Sequence, residues 1–222
     1  MIKNWLNGDT FIIGDTHFGH KNIIIYEPTR CDIVDKTKIT ADDMLSLSEE
    51  RIIENWNKTI SPGDTVLHLG DFVLGGAERI KSYAKKLNGH IYLIMGNHDS
   101  GSNTAYKSNN IKIIDAIYIY DDDLTIIKKQ NEYSTAIIAQ IYDKIIMFSH
   151  IPITKDPRHG DRYSNANEEL YGIYKRYKCE LNIHGHIHSS EIDESPHCIN
   201  ASIEAINFKP IMIKQLIQLH YK

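Results

Sequence analysis

The chain has few cysteines, no long apolar run and no recognisable targeting segment, and each of these absences excludes a class of protein. Its three cysteines, Cys31, Cys179 and Cys198, are odd in number and far apart, which fits neither a disulfide framework nor a CxxC metal clip. No stretch approaches the roughly 20 apolar residues of a membrane span, and the N-terminal residues lack the apolar core of a signal peptide. We therefore expect reduced thiols in a soluble cytoplasmic protein that has no membrane partner.

The chain also lacks a strong excess of charge of either sign. Its 25 Lys and Arg residues stand against 29 Asp and Glu residues, for a net charge of -4. Such a balance gives no general basic field for a nucleic acid backbone, so nucleic acid is not an expected partner. There is no internal repeat and no low-complexity segment, and 222 residues suffice for one well-buried core. We predict a single domain over residues 1–222.

Five short apolar runs, each typical of a buried strand, end abruptly in side chains that can bind a metal ion. The runs are residues 10–13, 65–69, 91–95, 144–149 and 181–184. The candidate ligands that follow them are Asp15 and His17, Asp71, Asn97, His150, and His186 and His188. In layered α/β folds, ligands collect at the carboxyl ends of strands. The five strand ends are therefore expected to converge on one site.

The segments between these strands predict helices on the outside of the sheets. Thr40, with Asp43 three residues later, is typical of a helix start and predicts a helix over residues 41–58. A second helix is predicted over residues 77–87. Residues 111–120, 124–127 and 135–141 are β-rich and predict a second set of strands, and the tail over residues 198–219 looks similar. The expected class is α/β, with two packed sheets and helices outside them.

The individual motifs differ in how specifically they indicate a metal site. An Asp-x-His triplet such as Asp15 to His17 is common in ordinary loops, and a glycine before Asp71 often marks a simple turn. The segment 96–99 is more specific because it supplies a neutral oxygen ligand, an imidazole and a carboxylate at one strand end. His186 and His188 can reach one metal ion or two, although two exposed turn histidines would give the same pattern.

Taken together and in this order, these motifs resemble those of the calcineurin-like metallophosphoesterase superfamily, in particular its small prokaryotic or phage-type members. The resemblance covers nearly the whole chain. It implies a four-layered α/β/β/α sandwich of two mixed β-sheets flanked by helices. It also implies two divalent metal ions as cofactors, with manganese as the first candidate and iron, zinc, nickel or magnesium as alternatives.

Carried over residue by residue, the resemblance assigns one metal ion to Asp15, His17 and His188. It assigns the other metal ion to Asn97, His150 and His186, and Asp71 would bridge the two ions. The implied catalytic residues are Asp71 and His98, with His98 protonating the leaving oxygen or stabilising the transition state. The pair of ions would clamp a phosphate ester and activate water for attack on phosphorus.

Several residues are candidates for contact with the substrate, each with a structural alternative. The candidate contacts are His20, Asn97, His98, Arg158 and Arg162. His20 is as well explained as a supporting or surface histidine, and the two arginines as part of a solvated loop. Asp99 either orients His98 or accepts hydrogen bonds from backbone amides in its turn. Tyr163 either stacks a base or packs in the protein.

The expected activity is hydrolysis of a phosphodiester or phosphomonoester, on a nucleotide or another small phosphate ester. Protein phosphatases of the superfamily carry an Asp-Arg pair shortly after the bridging aspartate, and this chain has no arginine after Asp71 in segment 71–76. Protein dephosphorylation is therefore disfavoured. The alternatives are a nuclease and a non-catalytic scaffold with the same fold. The complete set of ligands together with His98 favours catalysis.

Overall fold

The structure, a computed structural model, describes residues 5–32, 40–99, 106, 111–120, 124–155, 160–190 and 195–221. In this part of the chain, eleven strands form one sheet of five strands and one sheet of six. Both sheets are mixed, and helices flank them, as predicted for the α/β class. Among the described residues, none of the helices combines the length and the apolar character that crossing a membrane requires.

The first sheet carries the first three of the predicted strand ends. Its strands are β1 (Phe11–Ile13), β2 (Thr65–His68), β3 (His90–Ile94), β4 (Ile111–Ile114) and β11 (Ile211–Met212). Their order is β11-β1-β2-β3-β4, and β1 to β4 run parallel, with Leu67 of β2 opposite both Ile12 and Tyr92. Since parallel strands end at the same edge of a sheet, the loops after β1, β2 and β3 emerge side by side.

The second sheet carries the other two predicted strand ends. Its strands are β5 (Ile117–Tyr120), β6 (Thr125–Ile127), β7 (Ala136–Ile141), β8 (Lys144–Ser149), β9 (Leu181–His184) and β10 (Cys198–Asn200). Their order is β10-β9-β8-β7-β5-β6, with β8, β9 and β10 parallel to one another. The chain therefore leaves β8 and β9 at one edge of this sheet, where His150 and His186 follow.

Helices cover the sheets, and their bounds differ slightly from the predicted ones. They are α1 (Ile23–Tyr26), a 3₁₀-helix (Pro28–Cys31), α2 (Ala41–Thr59), α3 (Ala77–Ala84), α4 (Ser164–Arg176) and α5 (Ile213–His220). The predicted start of α2 is confirmed: Thr40 Oγ1 accepts a hydrogen bond from the Asp43 N–H at 3.2 Å, and the Asp43 side chain accepts one from the Thr40 N–H. The predicted helix over residues 77–87 ends earlier, at Ala84.

Two buried clusters define the layers. One joins both sheets with α2 and α3 and includes Leu67, Phe148 and Trp56, which is fully buried. The other lies on the opposite face of the second sheet, where Met147 of β8 meets Leu170 of α4. Because neighbouring residues in a strand point to opposite faces, Met147 and Phe148 bury both sides of β8. The second sheet is thus covered on both faces.

The structure corrects two predictions and adds helices that had not been predicted. Residues 111–120 form two strands instead of one, and these strands, β4 and β5, belong to different sheets. The tail is not all β, because α5 follows the two-residue strand β11 and buries Ile213 and Leu216, three residues apart on one helical face. The unpredicted helices are α1, the 3₁₀-helix and α4.

Candidate metal centre

The loops that follow β1 and β2 are joined backbone to backbone. The Asp15 N–H donates a hydrogen bond to the Gly70 carbonyl at 3.0 Å, and the His17 N–H donates one to the Asp71 carbonyl at 2.9 Å. These bonds continue the parallel pairing of the two strands into their loops. They place Asp15 and His17 next to Asp71, as the convergence of strand ends predicted.

Five of the seven predicted metal ligands have a left-handed backbone. The φ angles are 58° for Asp15, 49° for His17, 54° for Asp71, 71° for His186 and 53° for His188. This region is uncommon for residues other than glycine, and each such residue costs about 1–3 kcal/mol. Unfavourable backbone conformations of this kind cluster at functional sites, where the surrounding contacts hold them in place.

Glycines leave room for the two aspartates. A Cβ atom on Gly96 would overlap Asp71 Oδ1 and the Asp71 backbone nitrogen. A Cβ atom on Gly185 would likewise overlap Asp15 Oδ2. Gly96 and Gly185 directly precede the candidate ligands Asn97 and His186, so the backbone that carries these ligands passes close against the carboxylates.

The first group of candidate ligands consists of Asp15, His17 and His188, whose ligand atoms all lie within 4.8 Å of one another. His188 Nε2 is 3.9 Å from Asp15 Oδ1, and the His17 and His188 ring centroids are 5.0 Å apart. His17 Nε2 is buried and has no hydrogen-bond partner among the described residues. Burial, with nearby His188 and Arg30, keeps the pKa of His17 well below its usual value. A neutral imidazole with a buried, unpartnered nitrogen fits a divalent cation.

The second group is centred on His150, which lies with Asp15 and Asp71 in a cluster of ligand atoms within 4.8 Å. His150 Nδ1 is 2.8 Å from the Leu69 carbonyl, and this acceptor requires Nδ1 to carry the proton. The lone pair of neutral His150 is therefore on Nε2, which faces Asn97 Oδ1 at 2.8 Å. The His186 ring meets the His150 ring edge-on, with centroids 5.1 Å apart.

Asp71 lies between the two groups. Its Oδ2 is 3.4 Å from His17 Nε2 and 3.5 Å from His150 Nε2. Burial, followed by the neighbouring Asp99 carboxylate, raises the pKa of Asp71 well above its ordinary range. A fully buried carboxylate of this kind is stabilised in its charged form by a cation. The structure thus brings together all the predicted ligands, while their role as ligands stays a prediction.

Comparison with known proteins agrees with this geometry. A family model described as calcineurin-like phosphoesterase matches residues 10–190. The chain belongs to this family. Its members are metallophosphoesterases, so divalent metal ions are implied, and the two Asp and His clusters fit such ions.

Two uncharacterised relatives match nearly the whole chain. An uncharacterized protein of Methanocaldococcus jannaschii is 26% identical over 217 residues, which are 94% of this chain and 89% of that protein. The crystal structure of a protein of unknown function from Aquifex aeolicus is similar at a TM-score of 0.68 and 31% identity, covering 95% of this chain and 98% of that one. A weaker match, with a TM-score of 0.40 and 18% identity, is an archaeal phosphodiesterase, covering 87% of this chain and 81% of that one.

In this calcineurin-like phosphoesterase, His98 and His20 lie on the same side of the site. His98 is partly exposed, and its ring centroid is 5.4 Å from that of His17 and 6.2 Å from that of His20. The backbone of His98 is fixed because its N–H donates a hydrogen bond to Asp71 Oδ1 at 2.8 Å. Partial burial, together with nearby His150 and His20, lowers the pKa of His98 to about 4. The imidazole is therefore neutral at pH 7 in the protein without ligands.

The structure describes Arg162 and Tyr163, two of the other residues considered as substrate contacts. Arg162 is exposed, with its guanidinium carbon 5.3 Å from the centroid of the Tyr163 ring. Tyr163 is buried, and its ring lies edge-on to His186 with centroids 4.7 Å apart. Tyr163 therefore packs beside a candidate ligand and is not an open stacking platform. Arg158 lies outside the described residues.

Two residues of the site were missed by the sequence analysis. Arg30 and Glu204 form a buried ion pair behind Asp15 and His188, with Arg30 Nη2 2.6 Å from Glu204 Oε1. Neither residue follows one of the five strand ends, and 174 positions separate them in the sequence. No local pattern signals such a pair.

Proposed function

We propose that this protein is a metal-dependent phosphoesterase that uses a dinuclear metal centre to hydrolyse phosphodiester or phosphomonoester bonds. The supporting observation is the position of Asp71 Oδ2, which is 3.4 Å from His17 Nε2 and 3.5 Å from His150 Nε2. One carboxylate within reach of an imidazole from each ligand group is what a bridged pair of cations requires.

The ligand assignment follows the two groups. Asp15, His17 and His188 would hold one ion. Asn97, His150 and His186 would hold the other, since both Asn97 and His186 lie against the His150 ring, and Asp71 would be shared. When bound, the pair of cations neutralises charge on the phosphate and activates the attacking water. Oxygen and imidazole donors without a cysteine are compatible with manganese, iron, zinc, nickel or magnesium, and the family resemblance makes manganese the first candidate.

His98 acts on the leaving group in this proposal. His98 is partly exposed beside His17, whereas its backbone is anchored to Asp71. This arrangement keeps the imidazole out of the ligand set and holds it at the mouth of the site. From there the neutral imidazole donates a hydrogen bond to the oxygen that leaves phosphorus. Loss of His98 therefore slows turnover more than it weakens metal binding.

We infer a small phosphate ester, such as a nucleotide, as the substrate. His20 lies near His98, and Arg162 is close enough to lower the pKa of His98, so both offer polar groups for an anionic substrate beside His98. The overall charge of -4 supplies no basic field for a long polyanion. A nuclease and a metal-binding scaffold without activity are the competing functions that the experiment must separate.

The test compares metal-stripped protein with protein reloaded with Mn²⁺, using bis-p-nitrophenyl phosphate and p-nitrophenyl phosphate. The variants are Asp71→Asn, His98→Ala and, as a matched control, His90→Ala, which removes an exposed histidine at the start of β3. We expect Mn²⁺-dependent hydrolysis, its loss in Asp71→Asn, and a decrease of about 100-fold in kcat for His98→Ala at unchanged Mn²⁺ stoichiometry. The control should match the wild type.

The other outcomes each identify a competing function. A wild type that binds two equivalents of Mn²⁺ but cleaves neither ester, nor any member of a panel of nucleotides, would be a scaffold. Faster cleavage of single-stranded DNA or RNA than of any small ester would make the protein a nuclease. A wild type that binds only one equivalent of Mn²⁺ would exclude the dinuclear centre.

A further inference from the structure

A buried carboxylate fixes the protonation of one candidate ligand. Glu204 Oε2 lies 3.2 Å from His188 Nδ1, and only 1% of the Glu204 side chain is exposed. The Arg30 guanidinium lies against the other oxygen of Glu204, and this buried cation holds the carboxyl group in its charged form. A charged carboxylate only accepts hydrogen bonds, so Nδ1 of His188 carries a proton. The lone pair of the neutral imidazole is then on Nε2, the atom that faces Asp15.

The other oxygen of Glu204 is held by an arginine that also contacts the loop after β1. Arg30 Nε donates to Glu204 Oε1 at 2.7 Å, and Arg30 Nη2 lies 2.6 Å from the same oxygen. The same guanidinium donates from Nη1 to the Thr16 carbonyl at 2.8 Å and from Nη2 to the Asp15 carbonyl at 2.6 Å. One buried cation therefore connects the backbone of Asp15 with the carboxylate behind His188.

The backbone of His188 is held by the same part of the chain. Its N–H donates to Ser202 Oγ at 3.2 Å, and its carbonyl accepts from Asn200 Nδ2 at 2.7 Å. With Glu204 on the side chain, residues 200–204 hold His188 at three points. These contacts maintain a left-handed residue at φ 53°. Glu204 lies beyond residues 10–190, the range that the family model matches.

We propose that Glu204, supported by Arg30, is a positioning residue that orients His188 and so sets the affinity of one of the two metal ions, the one assigned to Asp15, His17 and His188. This inference rests on the proposed dinuclear function. The other ion does not depend on Glu204, because the ring of His150 is oriented by the Leu69 carbonyl instead. Partners of this kind typically contribute 10- to 100-fold to metal affinity.

The test measures Mn²⁺ binding to the metal-stripped protein by calorimetry, in the wild type and in Glu204→Gln. A glutamine has one acceptor oxygen and cannot serve both Arg30 and His188. We expect one of two Mn²⁺ equivalents to bind about 10- to 100-fold more weakly and the other to be unchanged. The control is Glu169→Gln, which alters a carboxylate that accepts two backbone hydrogen bonds, from Gln130 and Asn131, in another part of the molecule.

The Mn²⁺ dependence of activity provides a second readout, which a general loss of folded protein in the variant would not reproduce. In Glu204→Gln, hydrolysis of bis-p-nitrophenyl phosphate should require about 10- to 100-fold more Mn²⁺ for half-activation, while kcat at saturating Mn²⁺ stays within a few-fold of the wild type. Unchanged affinity for both equivalents, or equal weakening of both, would overturn the proposal. A lower kcat at every Mn²⁺ concentration would do the same. Failure of the proposed function is seen separately, in a wild type that binds fewer than two ions or cleaves neither ester.

A measurement on the wild type keeps the proposal testable should Glu204→Gln fail to fold. Long-range proton–nitrogen correlation spectra of the Zn²⁺-loaded, ¹⁵N-histidine-labelled protein report which nitrogen of each imidazole carries a proton. His188 is expected to show a protonated Nδ1 and a coordinated Nε2. Coordination through Nδ1 would exclude a hydrogen bond to Glu204 and overturn the proposal.

Discussion

Asp99 holds the backbone of Asp71 in place. Asp99 Oδ2 accepts hydrogen bonds from the Asp71 N–H at 2.7 Å and the Gly96 N–H at 2.9 Å, and Oδ1 accepts one from the Phe72 N–H at 2.9 Å. The sequence left open whether Asp99 orients His98 or accepts hydrogen bonds from backbone amides. The contacts show the second arrangement, with the loop after β3 supporting the loop after β2.

Replacing this carboxylate should destabilise the fold at the site. In Asp99→Asn, the amide nitrogen that replaces one oxygen faces N–H groups, so at least one buried donor loses its acceptor. We expect the free energy of unfolding to fall by about 2–4 kcal/mol and Mn²⁺ affinity to fall with it, because Asp71 loses its support. Urea unfolding in the presence of a chelator measures the first effect, and calorimetry measures the second.

Asp64→Asn is the matched control. Asp64 is a partly exposed aspartate whose Oδ2 accepts one backbone hydrogen bond, from Ser61 at 2.7 Å. Loss of this hydrogen bond should lower the free energy of unfolding by less than about 1 kcal/mol. An equal decrease in the free energy of unfolding for the two variants would show that Asp99 supports nothing specific to the site.

Two glycine-to-alanine substitutions should change the stability of the protein in opposite directions. Gly96→Ala places a methyl group against the Asp71 carboxylate and backbone, whereas a Cβ atom on Gly172 in helix α4 meets no atom within 4 Å. We expect Gly96→Ala to abolish Mn²⁺-dependent hydrolysis and to destabilise the protein by about 1–3 kcal/mol. Gly172→Ala should stabilise the protein by about 1 kcal/mol and leave activity unchanged. Thermal unfolding and the ester assay check both, and an active Gly96→Ala variant would show that the fit around Asp71 is loose.

The strand ends could be predicted from the sequence because their signal is local. A buried strand followed at once by a polar side chain is visible in a few residues, as at His150 after β8. Their convergence follows from the parallel pairing of neighbouring strands, which the order strand, helix, strand implies. The capping box of Thr40 and Asp43 is equally local, and it too was predicted correctly.

The features that the sequence did not reveal depend on tertiary contacts. Residues 111–120 form one β-rich run, yet the chain crosses from one sheet to the other within it. The short helix α5 follows a strand of two residues, so its apolar residues were read as part of a β-rich tail. Arg30 and Glu204 meet only because β10 lies beside the loop after β1, where the Gly14 N–H bonds to the Ala201 carbonyl at 2.8 Å. No periodicity predicts contacts of this kind.

His68 should make stability depend on pH. It is fully buried, with Nε2 3.1 Å from Thr16 Oγ1 and Nδ1 accepting from the Gly70 N–H at 3.2 Å. Burial, with a smaller effect of His150, lowers its pKa from 6.5 to about 3. Between these values the unfolded chain binds a proton that the folded protein does not. The contribution of His68 therefore lowers the free energy of unfolding by about 1.4 kcal/mol per pH unit as the pH falls below 6.5.

The neutral variant His68→Gln should remove this contribution. Urea unfolding of the chelator-treated proteins at pH 7.5, 6 and 5 should show a shallower loss of stability in the variant than in the wild type. Above pH 7 the two curves should run parallel, since the imidazole is neutral in both states, and this region is the internal control. Equal slopes between pH 6 and 5 would show that folded His68 binds a proton there.

The cysteines should differ sharply in reactivity. Cys31 is partly exposed, whereas Cys179 and Cys198 are 8% and 1% exposed, and burial raises the pKa of Cys179 to about 12. Because the thiolate is the reactive form, native protein at pH 8 should take up one equivalent of iodoacetamide, at Cys31. Mass spectrometry of the labelled peptides, with urea-unfolded protein taking up three equivalents, checks this expectation. A Cys31→Ser variant should take up none while folded, and rapid labelling of Cys179 in that variant would show that the strand ending at His184 opens far more often than its burial implies.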